Sequence, residues 1–209
     1  LGDVYKRQQL VYTTADWNPE QFERVVHSGA RIKQVYDVTQ IGDGKFLNNM
    51  KNSLNGLHFG FGIPADQIQV VGALHGPANM LNFDDTVWSR YRIGEWLGVA
   101  DPRTGQPATR NPFYASPVPD GRYPSDDPDS MQSLFQDTSM QALQRRGVVF
   151  LSCHTATEEQ ARALIRRFGL TQDPETIVRD MLAHVQPGVL VVAAMVAAIA
   201  LLQLSLIHI

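Results

Sequence analysis

The stretch GVVFLSCHTATEEQARALIRRFG, residues 147 to 169, sets an apolar β-branched run directly against a helical pattern, and that juncture decides the fold. VVFLSC at 148 to 153 is continuous rather than alternating, as expected of a strand covered on both faces. Ala161, Leu164, Ile165 and Phe168 then recur at helical spacing, Gly169 closes the pattern, and Thr157 followed by Gln160 reads as a capping box that starts the helix at Thr157. Three further runs have the same strand character: IKQVYDV at 32 to 38, IQVVGAL at 68 to 74 and VLVV at 189 to 192. Helical patterns lie between them. Strands alternating with helices, without an internal repeat, predict an α/β three-layer sandwich around a mainly parallel sheet.

The connecting segments carry ordinary helix signals. Asn18 with Pro19 and Asp173 with Pro174 each supply a cap followed by proline in the first turn. GKFLNNMKNSLNGL places Phe46, Leu47, Met50, Leu54 and Leu57 on one stripe. DDTVWSRYRIGEWLG offers Asp84 or Asp85 as a cap and Val87, Trp88, Tyr91 and Trp96 as an aromatic face, read as core or subunit contact. SMQSLFQDTSMQALQRRG predicts a helix with Met131, Leu134, Phe135 and Leu143 inward. Between these two, residues 102 to 128 are rich in Pro, Gly, Asp and Ser and have no period; so long a loop serves as a lid, a binding loop or a disordered excursion.

With 209 residues, 44% hydrophobic and 19% charged, the chain is long enough to bury one core, and a formal net charge of -3 gives no electrostatic footprint for nucleic acid. One cysteine excludes an internal disulfide and a Cys-rich zinc site. LGDVYKRQ at the start and LSLIHI at the finish resemble translated adapter sequence, so 1 to 8 and 204 to 209 are taken as non-native and the domain as 9 to 203. An export signal ahead of residue 1 would be lost in that case, leaving a periplasmic or a cytoplasmic home equally open. The tail from Gly188 is about as long and apolar as a membrane span, but β-branched VLVV followed by helix-favouring AAMVAAIALLQ predicts a buried strand feeding a helix.

In open parallel sheets ligands sit beyond the carboxyl ends of the strands. Those ends bring Asp43 after the first strand, His75 and Gly76 after the second, and Cys153 and His154 after the third. A thiol just before a helix N-terminus is exposed to unpaired backbone N–H groups that favour thiolate, which makes Cys153 the candidate nucleophile, with Thr155 and Thr157 supplying the N–H groups nearby. Cys153 as a small buried hydrophobe is the competing reading. His75 is a candidate rim partner or a histidine satisfied by a turn; Asp43, between two glycines, suits a turn. His154 is an awkward base, because strand neighbours point to opposite faces. No ligand spacing supports a metal, and no glycine-rich fingerprint supports a nucleotide cofactor.

VVGALHGPA at 70 to 78, GVVFLSCHTAT at 147 to 157 and VQPGVLVVAAMVAAIALLQ at 185 to 203 together resemble the DsrE/DsrF family of sulfur-relay proteins. The resemblance implies a flavodoxin-like sandwich, homo-oligomers, and a cysteine that carries persulfide sulfur between donor and acceptor proteins. The excursion after Val99 is additional to the family's minimal domain, and Ala193 stands where relatives carry proline. Relatives of the longer form often bear a twin-arginine export signal. The expectation is a persulfide carrier or transferase using Cys153, or else a non-catalytic small-ligand-binding or assembly module of the same fold, with no cofactor and no membrane span.

Overall fold

The structure, a computed structural model, describes residues 17 to 206. The elements in chain order are α1 Pro19–Val26, β1 Ile32–Val38, α2 Lys45–Asn55, β2 Ile68–Leu74, α3 Asp85–Arg90, α4 Ile93–Leu97, α5 Met140–Arg145, β3 Val149–Cys153, α6 His154–Phe168, α7 Pro174–Leu182, β4 Leu190–Val192 and α8 Met195–Leu206. The four strands are all parallel and lie in the order β1-β2-β3-β4, so each pairs with its neighbours in sequence. Helices cover both faces, giving the three-layer flavodoxin-like sandwich. Among the described strands the order never reverses, so no switch-point crevice opens between them.

The layering follows from crossover handedness. Successive right-handed connections that always move one strand in the same direction put their helices on one face. That face buries Phe150, Leu74, Met50, Leu143, Trp88 and Ile177 beneath α2, α3, α5, α6 and α7. The opposite face is left to the first and last helices. There α1 and α8 cover Val71, Ala73, Leu151 and Val192 with Phe22, Val25, Ala198 and Leu202.

Several helix ends form as the sequence predicts. Asn18 Oδ1 accepts the Gln21 N–H, Asp84 Oδ1 accepts those of Thr86 and Val87, and Asp173 Oδ1 accepts that of Thr176. Trp88 is fully buried and donates its indole N–H to the Met80 carbonyl, so the aromatic face is core. The tail forms β4 and then α8, and among the described residues no helix is long and apolar enough to cross a membrane. Residues 1 to 8 lie outside the described residues, whereas Leu204, Ser205 and Leu206 continue α8.

Three local expectations are corrected. The 85-to-97 pattern is two short helices, because Arg92 takes a left-handed conformation (φ 52) between them. The 130-to-147 pattern yields only α5 and a single 3₁₀ turn, Leu134–Gln136, and Met131 is 82% exposed. Asp137 accepts the Ser139 N–H and Ser139 Oγ the Ala142 N–H, a local side-chain alternative that starts the helix afresh at Met140. Finally, α6 begins at His154 and its N-cap is Cys153 itself. Thr157 and Gln160 form no capping box: the Thr157 hydroxyl donates to the Cys153 carbonyl, and the Gln160 amide reaches the Gly76 carbonyl.

Candidate functional site

Register brings the second and third strand ends together. Val38, Leu74 and Ser152 are aligned across β1, β2 and β3, so one residue further His75 stands level with Cys153 on the adjacent strand. Side-chain alternation sends Asp37, Ala73, Leu151 and Cys153 to the face covered by α1 and α8. His75 turns to the same face, where its Nε2 lies 2.6 Å from Asp37 Oδ1. The carboxylate is the more exposed partner, at 59% against 20% for the imidazole.

Cys153 Sγ sits where two helices start. The N–H of Ala156, in the first turn of α6, reaches it at 3.4 Å, and that of Met195, the first residue of α8, at 3.3 Å. These contacts favour thiolate, but the residue is only 4% exposed. Burial pushes the thiol up, the Ala156, Met195 and Thr155 N–H groups pull it down, Glu159 adds a smaller upward push, and the thiol ends above its ordinary value. The expected open rim is therefore a covered one. The thiol belongs to the apolar cluster that includes Ala73, Val192 and Met195.

A buried amide network locks the backbone around it. Asn79 Oδ1 accepts the Cys153 N–H at 2.9 Å and the Ser152 hydroxyl at 3.0 Å, while Asn79 Nδ2 donates to Thr157 Oγ1 at 3.0 Å and Gln160 Oε1 at 3.1 Å. Asn82 Nδ2 adds a bond to the Leu151 carbonyl at 3.1 Å. Asn79 is bonded through both of its amide atoms and so fixes one geometry, because its loss orphans several other groups; Asn82 Oδ1, also buried, has no partner among the described residues. Gly76 allows the turn that carries both asparagines: its φ is +53, and a Cβ there would stand 3.1 Å from the Thr39 carbonyl oxygen.

The remaining candidates separate. Thr157 is fully buried within the amide network, and Thr155 faces β4, its N–H and hydroxyl both reaching the Ala193 carbonyl. His154 is in α6 rather than the strand, 3% exposed, with Nδ1 3.4 Å from Glu158 Oε1. Asp43 is elsewhere. It lines a cavity of about 610 Å³ on the other face of the sheet, whose lining includes neither His75 nor Cys153. Among the described residues no cluster of three or more His, Cys, Asp or Glu could hold a metal ion.

Asp37 and Asn79 are the site residues that sequence reasoning missed. A carboxylate as the penultimate residue of an apolar strand, and asparagines inside the apolar stretch GPANMLNF, were the available signals. Comparisons with protein-family models, curated proteins and solved structures find no match. The fold and the site therefore define a class, a parallel three-layer α/β sandwich with a capped thiol at its strand ends, and no family is assigned.

Proposed function

We propose that the protein is a DsrE/DsrF-like sulfur carrier or transferase in which Cys153 accepts sulfane sulfur. The observation that carries this reading is the convergence of the Ala156 and Met195 N–H groups on Sγ, level with His75 just past the end of β2, whose imidazole Asp37 of β1 holds. Two main-chain donors stabilise the charge of a thiolate and of a terminal persulfide alike. In the proposed step the Cys153 thiolate attacks the outer sulfur of a donor persulfide. One S–S bond forms as another breaks, the donor leaves as a thiolate that takes up a proton, and there is no net oxidation. His75, held by Asp37, takes the Cys153 proton. Burial assigns a role to α8, whose first turn must shift to admit the donor. The exposed apolar residues Val196 and Leu201 on the outer side of that helix support the accompanying proposal of a homo-oligomer.

The test is mass spectrometry of the folded protein after incubation with inorganic polysulfide. A sulfur adduct on Cys153 is expected, absent in Cys153→Ser and slower to form in His75→Gln, with Asn79 and the fold undisturbed. If the native thiol stays unmodified while the unfolded chain reacts, Cys153 is a helix cap and the protein is a non-catalytic module of the same fold.

A further inference from the structure

The cavity at Asp43 is built by two segments far apart in sequence. Its floor is the turn after β1, where Gly42, Asp43 and Gly44 all adopt positive φ, and its walls come from the excursion that follows α4. Gly44 makes the close contact possible: a Cβ there would lie 2.6 Å from a ring carbon of Phe113. The ring is thereby seated on the turn. Tyr123 adds a second aromatic side chain and Met131 a flexible apolar one.

The charge of the lining is one-sided. Asp43 and Asp137 contribute two carboxylates, and none of the lining residues is Lys, Arg or His. Burial works against ionisation of Asp137, but the Ser139 N–H and the Ser116 and Tyr123 hydroxyls outweigh it and hold the group below its ordinary value. Its negative charge is thus stabilised by neutral donors. Two cations reach lining residues from outside the cavity: Arg145 donates to the Val118 and Pro119 carbonyls and bears on the Tyr123 hydroxyl, and Lys51 donates to Gln136 Oε1 at 3.1 Å. A separate observation concerns Ser133, also on the lining. It is 1% exposed and its hydroxyl has no hydrogen-bond partner, a deficit that native interiors seldom leave unfilled.

We propose that this cavity binds a small organic cation, an ammonium group carried on an aromatic or apolar body. Asp43 and Asp137 attract the charge, the Phe113 and Tyr123 rings receive the body and present their faces to the cation, and the Ser133 turn adjusts to bond the guest. The site shares no residue with Cys153 and stands or falls independently of sulfur transfer.

Three probes of one shape and different charge test it on the full chain: phenethylammonium, 2-phenylethanol and phenylacetate, titrated by calorimetry. The cation is expected to bind tightest and the carboxylate weakest. Asp43→Asn keeps a residue that tolerates the left-handed turn, and it should weaken the cation by roughly three- to fivefold while leaving the alcohol unchanged, as loss of one exposed charge partner implies. Equal affinity for the three probes, no binding of the cation, or an unaltered cation affinity in Asp43→Asn would each overturn the proposal.

Discussion

The two faces of the sheet differ in depth. On one, three crossovers and the excursion bury a large core that includes Trp88, Phe83, Phe150 and Met50 at 0% exposure. On the other, among the described residues, α1 and α8 alone cover the strands, and α8 leaves Val196 71% exposed. The contrast separates stability from access. The deep face holds the fold, and the thin face covers the thiol with a layer that can be moved at small cost.

The contrast can be broken by measurement. Phe150→Ala should cost about 3 to 5 kcal/mol in denaturant unfolding, the range for deleting a fully buried aromatic side chain. Leu202→Ala, on the face of α8 turned to the sheet, should cost less, about 2 to 3 kcal/mol, and should also speed alkylation of native Cys153. If Leu202→Ala costs as much as Phe150→Ala, or leaves alkylation unchanged, the second layer is not the movable one.

The smallest effect is a pH dependence. Cys153 is raised above its ordinary value of 9.0, so the folded thiol holds its proton to higher pH than the unfolded one. Its contribution to stability is complete below the ordinary thiol range and is lost as pH rises through the raised folded value. Unfolding free energy should therefore fall on the alkaline side in the wild type, and fall less steeply in Cys153→Ser. Equal alkaline slopes would show that the thiol titrates alike in both states.

All four strands were legible within a residue at each end: the central β2 and β3, buried on both faces, leave a continuous apolar run, while the edge strands β1 and β4 are only partly buried and show as β-branched segments. The helix expected over 130 to 147 was misread for the converse reason. Its apolar spacing was compatible with a helix, but Asp137 and Ser139 bond the backbone locally and restart it. At the site, Cys153 and His75 were found by position at strand ends. Asp37 was not, since its partner is 38 residues away and only the β1–β2 register brings them together. Nor was Asn79, whose bonds to Cys153 span 74 residues. Chemistry local to one strand end can be read along the chain; chemistry assembled between strands needs the register first.

The strand order has a consequence in time. Because every strand pairs with the strand before it, the sheet can grow by single additions as the chain emerges, without waiting for a distant partner. The last described element to emerge is α8. Until it docks, Cys153 has its α6 donor but lacks the Met195 N–H and much of its cover, so a nascent or partly folded chain presents the thiol that the finished one encloses.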